Sequence, residues 1–144
     1  MKESCSMEFL KRLFGICKTK KAADESSWQI HEQINGQTIK VELARVPEIS
    51  QPGGAVRLEG KNLKARVLVI YGENCQYYAY KNQCTHMGRR LDPLKGNNRI
   101  QCCSVSKSTY DYTGQPVAGP VEKPLHALPV YVENGQLIIS MICE

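Results

Sequence analysis

A chain of 144 residues, 42% hydrophobic and 23% charged, has the length and composition of one globular domain. No uninterrupted apolar run approaches the roughly 18 residues of a membrane-spanning helix. The net charge of +5 is unevenly placed: residues 1–21 hold +4 through Lys2, Lys11, Arg12, Lys18, Lys20 and Lys21 against Glu3 and Glu8, and the remainder carries +1. That distribution excludes a nucleic-acid surface on the folded part, which needs clustered lysines and arginines.

The N-terminal segment, residues 1–27, is basic and then small and polar through "KTKKAADESS". Phe9, Leu10, Leu13, Phe14 and Ile16 share one face of a short helix, opposite Lys11, Arg12 and Lys18. Two readings stay open for residues 7–18: a helical tail, frayed or docked on its own domain, or a peripheral anchor on an anionic membrane surface.

From Trp28 onward the pattern is that of short strands. "WQIHEQI" and "QTIKVEL" flank Asn35-Gly36, a strong two-residue hairpin signal. "QPGG" is a turn before a strand "AVRLEG", and "ARVLVIY" and "QYYAYKN" flank a second hairpin turn at "GEN". "LPVYVE", Asn134-Gly135 and "QLIISMI" make a third. Strands of this length between Gly, Pro and Asn turns predict an all-β fold, a small antiparallel sandwich or barrel spanning residues 28–144. Residues 82–125 are too long for an idle connection and carry one short strand, "NRIQ".

The chemistry lies in that connection. Seven cysteines fall at positions 5, 17, 75, 84, 102, 103 and 143, an odd number without repeating spacing. The first apolar run, "FLKRLFGIC", is interrupted by Lys11 and Arg12 and makes a poor export signal. A reducing, cytoplasmic compartment is therefore expected, with some cysteines as thiols and some binding metal. Cys84 and His86 are spaced C-x-H, so a turn directs both into one cavity, and Gly88 permits the tight bend beneath them. Sixteen residues separate His86 from Cys103, which is preceded by Cys102. Thiolate with imidazole suits zinc or iron–sulfur rather than calcium or magnesium.

"CTHMGRRL" resembles the first cluster-binding loop of Rieske [2Fe–2S] proteins, C-x-H-x-G-x-x-L. "CSVSKSTYDYTG" resembles their second loop, C-x-x-H-G-x-x-Y/F-D-x-x-G, and "GPVEKPL" their proline-rich covering loop with one extra residue. The similarity runs from about Ala44 to Ile139 and implies a Rieske-like sandwich with a cluster-binding loop subdomain. It implies Cys84 and Cys103 as ligands of one iron and His86 of the other. The family's aromatic stands seven residues after its cysteine; from Cys103 this is Tyr110, from Cys102 it is Thr109, so Cys103 is the preferred register.

In that register the second histidine of the family is replaced by Ser106. The fourth ligand stays open among Ser106, Cys102, His126 and an exogenous group. Cys102 has the right chemistry, but neighbours on an extended strand point to opposite sides, so a bulge would have to turn it inward. Ser108 and Tyr110 match positions whose hydroxyls donate to cluster sulfurs. The resemblance implies a one-electron carrier between a reductase and an acceptor, a component of an oxidoreductase system rather than an enzyme by itself. The alternatives are a Rieske-shaped binding or scaffold module that has lost its cluster, and a structural zinc site of Cys84, His86, Cys102 and Cys103.

Overall fold

The computed structural model describes residues 17–22, 24–86, 88–104 and 107–142. Twelve antiparallel strands form three four-stranded sheets among these residues. The first joins β1 (Trp28–Gln33), β2 (Gly36–Glu42), β12 (Gln136–Ile142) and β11 (Val130–Glu133) in the order β1-β2-β12-β11. The second has the order β10-β5-β4-β3, from β3 (Ala55–Leu58), β4 (Val67–Tyr71), β5 (Tyr77–Lys81) and β10 (Ala127–Leu128). The third, β6-β7-β8-β9, is built from β6 (Leu91–Leu94), β7 (Arg99–Cys102), β8 (Thr109–Asp111) and β9 (Pro116–Ala118). No helix among the described residues is long and apolar enough to cross a membrane.

Strand β4 explains how the layers share a core. Its run Val67-Leu68-Val69-Ile70 is fully buried on both faces, as a central strand between two apolar clusters requires. Val67 and Val69 face Ile39, Val41, Leu137 and Ile139 of the first sheet. Leu68 and Ile70 face Leu91, Ile100, Tyr110, Val121 and Leu125 beneath the third sheet. Cys84 and Cys102 belong to this second cluster. The third sheet is thus a small subdomain seated on the back of β4 and β5.

The hairpins fall where the turn residues predict, with one shift. Glu133 pairs with Gln136, so Asn134-Gly135 is the two-residue loop, both with positive φ. In the first hairpin Gln33 pairs with Gly36, so the loop is Ile34-Asn35 and Gly36 opens β2. A Cβ on Gly36 would lie 2.1 Å from the Met141 carbonyl oxygen, so the glycine serves sheet closure rather than the turn. "LPVYVE" is divided at Pro129: Leu128 pairs with β5 and Val130 begins β11 on the other sheet. Residues 82–125 hold four strands where the sequence predicts one, because each is only three or four residues long and gives no readable period.

Residues 17–22 run along the edge of β3. Lys21 bridges Arg57 in parallel, the Arg57 amide donates to the Lys20 carbonyl at 2.8 Å, and Ala22 is buried in the main core. This stretch of the predicted N-terminal segment packs with the sandwich; residues 7–16 lie outside the described residues.

Candidate metal centre

The first loop of the centre leaves β5 at Asn82 and reaches β6 at Leu91. Its ends are pinned by two residues with no local motif to announce them. Fully buried Asn82 accepts the Leu91 amide on Oδ1 at 2.8 Å. The Arg66 guanidinium donates to the carbonyls of Asn82 at 3.0 Å and Gly88 at 2.9 Å. Inside this frame the Cys84 amide donates to Arg89 (2.7 Å) and the Gly88 amide to Cys84 (2.8 Å), with Gly88 at φ +71°. The loop curls so that Cys84 is buried and His86 is exposed.

The second loop leaves β7. Ile100 and Cys102 are the buried residues of that strand, alternating with half-exposed Arg99 and Gln101. Cys102 needs no bulge to face inward, since the parity set by Ile100 already puts it there. Its thiol shares a hydrogen bond with that of Cys84, and this bond followed by burial holds Cys102 far above the ordinary thiol range. Cys103, expected as the second thiolate of the centre, is instead joined in a disulfide to Cys17, with Cα atoms 5.3 Å apart. Ser106 lies outside the described residues.

Tyr110 ties the two loops together. Its hydroxyl lies 3.3 Å from Cys84 Sγ and 3.0 Å from Thr85 Oγ1, and accepts the Thr85 amide at 3.2 Å. Burial, then the Cys84 hydrogen bond, push its phenol up to about 12. Thr85 donates onward to the Lys123 carbonyl at 2.7 Å, clasping the proline-rich segment over the site. Ser108 is fully buried and its hydroxyl has no partner. His86 and His126 rim one open depression with Cys84, Thr85, Lys123 and Pro124.

Outside this cluster, Cys75 is exposed in the β4–β5 turn and Arg90 forms a two-pronged pair with Glu59 at 2.7 and 3.2 Å. Asp92 lies close to the sulfurs of Cys17 and Cys103, but these are bonded to each other and offer no thiolate.

A model of the Rieske [2Fe–2S] domain matches residues 40–131, well over half of the chain. The chain belongs to the Rieske [2Fe–2S] domain family. Domains of this family bind a [2Fe–2S] cluster, and the Rieske chain is of the iron–sulfur, ferredoxin type. It is 40% identical over 73 residues to the "Cytochrome bc1 complex Rieske iron-sulfur subunit" of Corynebacterium glutamicum, covering 49% of this chain and 17% of that protein. The chain thus spans about a sixth of the length of the bc1 subunits it matches. It is 26% identical over 101 residues to the 3-phenylpropionate/cinnamic acid dioxygenase ferredoxin subunit of Escherichia coli K12, covering 69% of this chain and 88% of that one. The fold is shared with the ferredoxin of carbazole 1,9a-dioxygenase from Nocardioides aromaticivorans, at TM-score 0.56 and 21% identity over 70% of this chain and 96% of that chain.

The Rieske chain's own atoms fit the family's cofactor. Two buried thiols in contact and an imidazole at the rim are three ligands of the kinds such a cluster takes, and a tyrosine hydroxyl on one sulfur is a hydrogen-bond donor of the kind that tunes it. Ser108, whose carbonyl accepts the Cys102 amide at 2.8 Å, keeps a buried hydroxyl without a partner. A buried hydroxyl without a partner costs about 1–3 kcal/mol, a cost removed when an acceptor occupies the site.

Proposed function

We propose that the chain is a small one-electron carrier whose [2Fe–2S] centre takes an atypical ligand set: Cys84, His86, Cys102 and, once released from Cys17, Cys103. The observation that carries this reading is the pairing of the buried Cys84 and Cys102 thiols, with the Tyr110 hydroxyl on the Cys84 sulfur. When bound, the cluster would supply reversible storage of a single electron. The protein's part is position, insulation and tuning. Asn82 and Arg66 fix the first loop, Tyr110 and Ser108 offer donors to sulfur, and Thr85 holds the covering segment at Lys123. Exposed His86 presents the edge through which a partner protein makes contact.

The partners on this reading are a reductase and an acceptor, since its relatives include the ferredoxin subunit of a dioxygenase and a ferredoxin in complex with the oxygenase of carbazole 1,9a-dioxygenase. The exposed Arg89 beside the first loop suits an acidic partner. We place the carrier in the cytoplasm, and the basic amphipathic stretch 7–18 is the segment through which it would meet an anionic membrane surface.

The test is anaerobic reconstitution of the fully reduced protein, with iron and acid-labile sulfide measured together. Equal iron and sulfide with a low-temperature paramagnetic signal on reduction supports the carrier. Zinc without sulfide would select a structural site. A second reading has one observation in its favour, the closed Cys17–Cys103 disulfide, which withholds a ligand. On that reading the chain is a cluster-free module that docks on an oxidoreductase, and the reconstituted protein stays colourless.

A further inference from the structure

The disulfide between Cys17 and Cys103 sits in a cavity of about 540 Å³ whose wall carries Arg57, Arg66, Arg89 and Arg90. Among the described residues Glu59 faces three of the four: Arg90 bonds it at 2.7 Å, Arg57 lies at 3.6 Å, and Arg66 acts on it through space. The hydrogen bonds of Arg66 itself go to the neutral carbonyls of Asn82 and Gly88. Asp92, whose carboxylate lies within 4.8 Å of both sulfurs, does not line this cavity and accepts the backbone amides of Lys18 and Thr19 at 2.7 and 3.0 Å. The disulfide therefore faces a cationic cavity of the size that holds small ligands. Cys17 is half-buried and Cys103 is buried, so Cys17 is the sulfur an attacking group meets.

We propose that the arginine-lined cavity is a docking site for a small thiol bearing carboxylates, and that Cys17–Cys103 exchanges with it. The thiolate gives an electron pair to Cys17 Sγ and forms a mixed disulfide. The Cys17–Cys103 bond breaks, its pair leaves on Cys103 Sγ, and that sulfur takes a proton from water. A second molecule of the same thiol attacks the mixed disulfide and releases Cys17. In sum two external thiols become one external disulfide, and the protein disulfide becomes two thiols. The pattern suits a cytoplasmic protein, where persisting disulfides are transient and redox-sensing. It also bears on the carrier and rests on that reading here alone: opening returns Cys103 to the loop where the family register makes it a ligand.

The experiment uses the full chain, metal-free, with its disulfide closed. Opening is followed by alkylation and intact mass, with mercaptosuccinate and with uncharged 2-mercaptoethanol at equal thiolate concentration. Mercaptosuccinate should open the bond about tenfold faster, with its adduct trapped on Cys17. The advantage should vanish in molar salt and shrink in Arg89→Gln, while replacing Arg45, which pairs with Asp24 and does not line the cavity, by glutamine (Arg45→Gln) keeps it. Equal rates for the two thiols, or an advantage left unchanged in Arg89→Gln, would overturn the proposal. Iron uptake by the opened protein is read separately: its failure defeats the carrier reading, while the exchange rates still decide the docking site.

Discussion

Ser108 and Tyr110 make opposite contributions to the empty and the loaded protein. In the absence of an acceptor the buried Ser108 hydroxyl is a liability, whereas Tyr110 already holds Cys84 and Thr85. Ser108→Ala should therefore stabilise the metal-free protein by about 1 kcal/mol in chemical denaturation, and Tyr110→Phe should destabilise it by about 1–2 kcal/mol. In the loaded protein both changes remove a donor to sulfur. Each should lower the midpoint potential, by about 40 mV for about 1 kcal/mol of lost preference for the reduced state. Glu59 gives a second residue-level test. The Arg90 hydrogen bond holds its carboxyl below the usual value of 4.5. Its contribution is present above that value and is lost as pH falls through the lowered one. Glu59→Gln should cost about 0.5–1 kcal/mol at neutral pH, and the difference from wild type should close under acid.

At the level of elements, alternation decides which cysteine faces the site. Ile100 must lie in the core, so Cys102 follows it inward and Cys103 does not. The C-x-H pair, the Tyr110 spacing and the hairpins are visible in sequence because each rests on contacts a few residues apart. The phase of β7 is hidden because "NRIQCC" is too short to show which parity is apolar. The Asn82 and Arg66 braces are hidden for a different reason: their partners are backbone groups, and these carry no sequence signature. Gly36 illustrates the same limit, since an Asn-Gly pair marks a hairpin while its glycine is required by β12 across the sheet. Gly36→Ala should destabilise the fold by about 3 kcal/mol, well beyond the usual propensity cost of about 1 kcal/mol for such an exchange, and denaturant titration reads the difference.

For the whole molecule, the disulfide joins residues 86 positions apart, a separation that no local pattern reveals. Closing so long a loop restrains the unfolded chain, so reduction should lower stability by about 4 kcal/mol, seen as a shift in the denaturation midpoint of the metal-free protein. Oxidation thus favours a tightly held fold, and reduction supplies the thiol that completes the donor set. Family membership shows a Rieske [2Fe–2S] domain, and the ligand set proposed for its cluster is three sulfurs and one imidazole. The redox titration of protein reconstituted after reduction, followed by its paramagnetic signal, is the measurement to make. A third thiolate should bring the midpoint between about −400 mV, typical of all-cysteine plant-type clusters, and about −150 mV, the lower edge of two-histidine Rieske centres. A midpoint well inside the higher Rieske range would contradict the third thiolate and point to His126, and protein without iron and sulfide would contradict the carrier altogether.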